Sequence, residues 1–296
     1  MAKLPMNADL LPPSDDRIFK TLLTHPNAKQ VLIDVVSTVI ERKVIDVQVR
    51  NIEMPVMDVD EKSERFDVNC TVENGDQVDV EMHSCPQDEI GSEHTNFTNK
   101  YVYFLTDLHS SQKSKGVKYR NLVRTYQITF CMYTVLPSYP DYVNRFSLRT
   151  SDGKQLTDQI NMVIIELSKL NDILKKPVET LTSFEKWSLF FRFAQEPMHR
   201  KLINDIIRDK EEINMAAELL REISQDERER ARLRSRRMAE MDRVSDLLTA
   251  EERGEIRGME KGISKGRAEG EVNGIAKVLT LLENGLSLEE IKKHIG

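Results

Sequence analysis

The stretch from Arg65 to His83 constrains the fold more than any other part of the chain. Phe66, Val68, Cys70 and Val72 alternate with polar residues, Glu73-Asn74-Gly75 interrupts, and Val78, Val80 and Met82 resume the alternation. A period of two marks a strand with one buried face, so two strands joined by a tight turn are predicted. A two-residue Asn-Gly turn would set apolar side chains against polar ones along the whole hairpin. A three-residue loop with Gly75 in the left-handed conformation instead pairs Val72 with Asp76, Cys70 with Val78, Val68 with Val80 and Phe66 with Met82, and keeps the apolar face whole. That register sets Asp67 opposite Glu81 and Arg65 opposite His83.

Opposed side chains on antiparallel strands have Cβ atoms about 5 Å apart, a gap two carboxylates bridge with a hard divalent cation such as Mg2+ or Mn2+. Asp67 and Glu81 are therefore candidate metal ligands, as in a divalent-metal nuclease centre, and Asp16, with Asp15 beside it, is the candidate third acid. His83 shares the face of Glu81 and is suited to orienting or deprotonating water or contacting phosphate. Lys100 and Arg65 are candidates for the positive charge that phosphoryl transfer needs. A plainer reading stands beside this one: hairpin faces carry Asp, Glu, Arg and His where they meet water, and Arg65 with His83 is then a surface pair. Asn69 and Asp79 fit both readings, as further ligands or as solvated strand residues.

Upstream, Pro12-Pro13-Ser14-Asp15-Asp16 leads into Arg17-Ile18-Phe19-Lys20-Thr21-Leu22-Leu23, a cap and a short amphipathic helix. A second helix is predicted after His25-Pro26-Asn27 through Val31, Leu32, Val35, Val36 and Val39, then a strand over Val44–Val49. Downstream, a helix from about Asp88 to Ser111 carries Phe97, Tyr101, Phe104, Leu105 and Leu108 inward, with Lys100 and Tyr103 at other azimuths. Strands are predicted over 124–137, 145–149 and 161–167, with a turn at Ser151-Asp152-Gly153-Lys154. This order describes one α/β domain over residues 1–170. Residues 171–225 read as a helical extension rich in aromatic and aliphatic side chains.

Residues 226–296 change character again. Opposite charges three and four residues apart from Asp226 onward indicate a solvent-exposed helix. Glycine then recurs every fourth residue at Gly254, Gly258, Gly262, Gly266, Gly270 and Gly274. On a helix these form a slowly drifting bare stripe, and each costs roughly 1 kcal/mol of propensity against alanine. Two readings follow, a frayed linker or a helix packed closely on a partner. At the end, Gly285 closes one short helix and Ser287 caps the next, with Glu290 completing a capping box.

Composition bounds the function. The 296 residues carry 43 basic and 49 acidic side chains, net charge -6, so any nucleic-acid contact needs a local basic surface. Cys70, Cys85 and Cys131 are too few for a disulfide framework or a four-cysteine zinc site, which together with the absence of an apolar leader points to the cytoplasm. No run of about 18 apolar residues predicts a membrane span.

Taken together, Asp16-Arg17-Ile18-Phe19-Lys20, Arg65-Phe66-Asp67-Val68, Val80-Glu81-Met82-His83, Phe97 through Lys100 to Tyr103, and Gly116-Val117-Lys118-Tyr119 carry a resemblance. The chain resembles the recombination-promoting nuclease / putative transposase family, a branch of the PD-(D/E)XK nuclease superfamily, over roughly residues 14–170. Its glycine-periodic tail is similar to tails in that family. The resemblance implies a restriction-endonuclease-like core, a mixed β-sheet flanked by helices, followed by the helical region and the charged tail. It implies Mg2+ (or Mn2+) on Asp67 and Glu81 with help from Asp16, and DNA as substrate for phosphodiester hydrolysis that promotes recombination. Two positions depart from the family pattern. His83 stands where the family has glutamine and the superfamily lysine, and Lys100 stands where arginine is common, losing bidentate phosphate contact. The rival expectation is a degenerate DNA-binding or protein-interaction module on the same fold. A homodimer, through the core or the C-terminal helices, is expected because cutting two strands with one centre per chain is most simply done by two subunits.

Overall fold

The computed structural model describes residues 3–6, 9–50, 68–84, 95–112, 118–287, 289 and 291, with backbone alone at 236, 237, 240, 243 and 247. Among the described residues the chain forms two compact units, Met1–Ala231 and Arg232–Gly296.

In the first unit, helix α1 (Asp16–Thr24) starts where Asp15 accepts hydrogen bonds from the Arg17 and Ile18 amides, as the acidic pair predicts. Its buried side is Ile18, Phe19, Leu22 and Leu23. Helix α2 (Lys29–Ile40) follows, ending at Glu41 in the left-handed conformation. Strand β1 (Val47–Val49) is shorter than the predicted Val44–Val49.

The hairpin β2 (Val68–Val72) and β3 (Gln77–His83) has the register that the apolar face demanded: Val68↔Val80, Asn69↔Asp79 and Cys70↔Val78. Gly75 takes φ +90°, and the Val72 amide donates to the Asp76 carbonyl at 3.0 Å. Asp76 pins the turn by accepting from Arg42 at 2.7 Å and from the Arg124 amide at 3.2 Å. Asp67, Arg65 and Phe66 lie outside the described residues.

Helix α3 (Thr95–Ser110) buries Phe97, Tyr101, Phe104, Leu105 and Leu108, the predicted stripe, against Cys131, Met162 and Ile164. Strands β4 (Thr125–Cys131), β5 (Val143–Ser147) and β6 (Ile160–Glu166) complete a six-stranded sheet in the order β1-β2-β3-β4-β6-β5. β4 ends well before the predicted Pro137. β3, β4 and β6 run parallel, and the other pairings are antiparallel, so the sheet is mixed.

Register divides the side chains between two faces. Val80, Ile128 and Val163 align on one, as do Met82, Phe130 and Ile165. This apolar face meets α1 and helix α4 (Ser183–Phe193), where the Phe19, Phe130 and Phe191 rings lie 5.1 to 5.7 Å apart. α4 begins with a capping box, Thr182 and Glu185 exchanging bonds with each other's amides. Helices α5 (Arg200–Asp209) and α6 (Glu211–Gln225) pack with α4 and α2, within the same compact unit as the sheet. The opposite sheet face carries α3.

Helix α7 (Glu227–Glu283) is 57 residues long and runs through all six tail glycines without interruption. At none of these glycines would an added Cβ meet an atom within 4 Å. The short helix predicted before Gly285 is the end of α7, closed as expected by Gly285 at φ +85° with the Leu286 amide donating to Leu281. Among the described residues no helix is long and apolar enough to cross a membrane.

Candidate active site

Glu81 and His83 occupy the C-terminal half of β3, two residues apart on the α3 side of the sheet. The plainer sequence reading, a face that meets water, does not hold for this face. Asn69, Asp79 and Glu81 are buried, and so are Thr125, Gln127 and Thr129 on the neighbouring strand. The parallel register lines them up, Asp79 with Gln127 and Glu81 with Thr129. The Gln127 amide donates to Asp79 at 2.8 Å. Gln127 Oε1 and Thr129 Oγ1 are enclosed with no hydrogen-bonding partner among the described residues, which is costly for buried polar atoms. A polar layer, flanked by the apolar packing of α3, therefore surrounds Glu81.

His83 is half-buried in an aromatic enclosure. Its ring lies 5.4 Å from Phe97 and 6.1 Å from Tyr101 on α3, both edge-on, and 5.5 Å from Tyr133 just beyond β4. Nδ1 stands 2.6 Å from the Tyr133 hydroxyl, a contact that orients the ring. Lys100 is exposed, as its azimuth predicted, with Nζ 5.3 Å from the centre of the Tyr101 ring and 5.5 Å from that of Phe104. The Tyr101 ring thus has His83 and Lys100 as neighbours. Asp16 opens α1, whose Phe19 packs on Phe130, the sheet face opposite Glu81; its carboxylate accepts from the Arg17 amide at 2.7 Å.

Among the described residues no three His, Cys, Asp or Glu side chains form a metal cluster. The Asp67 half of the predicted pair lies outside them. By register, Glu81 has Thr129 beside it on β4, and Asp79, two residues before it, has Gln127 beside it; these side chains carry oxygen atoms, the donor type that hard divalent cations take. Tyr133, Gln127 and Thr129 were not singled out by the sequence reading. The alternation Thr125-Gln127-Thr129 was the available signal, a second polar face that only parallel pairing with β3 turns into a layer.

The sequence profile of the PD-(D/E)XK nuclease family transposases matches residues 13–250. The chain belongs to that family. The mixed sheet flanked by helices is the restriction-endonuclease-like α/β fold of these nucleases. No curated protein and no solved structure gives a significant match.

Proposed function

We propose that the chain is a metal-dependent DNA endonuclease whose centre is built on Glu81 and Asp67, with Asp16 assisting. The observation that carries the proposal is the burial of Glu81 within a polar layer on β3, in a chain that belongs to a nuclease family.

Asp67 and Glu81 are the residues that would hold Mg2+ or Mn2+. Bound there, such an ion polarises the scissile phosphate and makes a water nucleophilic at neutral pH. The chain's own groups supply the rest. His83, its ring oriented by Tyr133, is the group to orient a water or accept its proton. Lys100, exposed beside the aromatic enclosure, is the cation for a phosphate oxygen, and Arg65 is a second. Two copies, each with one centre, account most simply for cutting both strands and for a role in recombination.

The rival reading, a DNA-binding module without turnover, is favoured by one observation: a half-buried histidine ringed by aromatic groups replaces the family's glutamine. Conversion of supercoiled DNA to nicked and linear forms separates the two. The proposal expects conversion with Mg2+ or Mn2+ and none with chelator, whereas the rival expects DNA retention on a gel with no conversion under either condition.

A further inference from the structure

Helix α7 exposes a long apolar stripe. Met238, Met241, Leu248, Ile256, Met259 and Ile263 are each more than half exposed. At 3.6 residues per turn all six fall within about 40° of one line along the helix, over about 38 Å. Exposed large apolar groups that share one line, here interrupted by Ser245 and Glu252, mark an interaction surface. The pairing that its polar residues specify covers the first part of this stripe, Met238, Met241 and Leu248, and leaves Ile256, Met259 and Ile263 outside it.

The polar residues on the stripe identify the partner. Arg234, Ser245 and Glu252 are exposed and share its azimuth, so the seam reads Arg234, Met238, Met241, Ser245, Leu248, Glu252 in steps of three and four. Laid parallel and in register on a second copy, Arg234 would meet Arg234 and Glu252 would meet Glu252. Laid antiparallel and centred on residue 243, Arg234 meets Glu252 twice by symmetry, Met238 meets Leu248, and the long Met241 side chain meets the small Ser245. One sequence therefore fits itself in one orientation in both charge and size.

We infer that α7 pairs antiparallel with α7 of a second copy of this chain, through a seam closed at both ends by Arg234 and Glu252. Such an interface is isologous and self-limiting, giving a dimer rather than a filament. It stands independently of the nuclease reading, because it rests on the second compact unit alone.

The test is the sedimentation equilibrium of the full chain and of its Arg234→Glu, Glu252→Arg and doubly substituted forms. The wild-type chain should form a dimer. Each single substitution puts like charges together at both ends, and like-charge contacts cost enough to weaken the dimer at least about tenfold. The double substitution should restore it, as should an equimolar mixture of the two single variants. A wild-type chain that stays monomeric to concentrations on the order of 100 µM overturns the inference, at an affinity where a specific dimer is already weak. A dimer indifferent to both single substitutions overturns it as well.

Discussion

The Tyr133 hydroxyl and His83 Nδ1 stand 2.6 Å apart, joining the end of β3 to the residues just beyond β4. This contact fixes both the ring orientation and the nitrogen that faces away from Tyr133. Tyr133→Phe keeps the ring and removes the hydroxyl, so the fold should lose only about 1 kcal/mol, the worth of one hydrogen bond. Cleavage should fall by roughly tenfold or more, as when a positioning partner is lost. Thermal melting and single-turnover cleavage check the two halves; unchanged cleavage would remove His83 orientation from the account.

His109 is held below the ordinary histidine range by burial, with Nδ1 2.9 Å from the Thr125 hydroxyl. A lowered folded-state value means that the unfolded chain takes up the proton first. Stability is therefore full above about pH 6.5, the unfolded value, and declines as pH falls below it. Urea unfolding at pH 7.5 and pH 5.5 should show this loss, and His109→Gln should make the dependence shallower. An equally steep dependence in the variant would contradict the assignment.

Burial also pushes the Cys70 thiol up to about 12, with the Asp79 charge adding to the effect. The thiolate is the reactive form, so Cys70 should resist iodoacetamide in the native protein at pH 8 and react after unfolding. Peptide mapping by mass spectrometry reads this directly; native labelling of Cys70 would mean that the apolar sheet face it shares with Val78 opens to solvent.

How much of this was legible in the sequence varied with the range of the interactions involved. The hairpin register was, because burying Val68, Cys70, Val78 and Val80 together admits one alignment and Gly75 supplies the turn that sets it. The α3 stripe was legible for the same local reason. What covers a face is not a local property. Asn69, Asp79 and Glu81 alternate as a solvent-facing set would, yet all three are buried, and the parallel pairing that sets Asp79 beside Gln127 and Glu81 beside Thr129 is a long-range feature. The Tyr133 contact depends on a residue 50 positions away and left no periodic trace. In the tail, the glycine propensity cost argued for a break that α7 does not show.

Trp187, the single tryptophan, reports on the helical part of the first unit. Its indole N–H donates to Asp34 at 2.6 Å, and Asp34 also holds Lys210 at 2.9 Å. Asp34→Ala strands a buried N–H and weakens the hold on Lys210, at a cost of about 2 kcal/mol. Guanidinium unfolding followed by tryptophan fluorescence should show the loss; a midpoint equal to wild type would mean water replaces the carboxylate without penalty.

The most direct test of the central claim is DNA cleavage by wild-type protein and by Glu81→Gln, which keeps the side-chain volume and removes the charge. With Mg2+ or Mn2+, wild type should nick and linearise supercoiled DNA while a folded Glu81→Gln variant loses at least about a hundredfold in rate, as expected when a ligand of a catalytic metal is neutralised. Equal cleavage by both proteins would place the chemistry elsewhere and contradict the account.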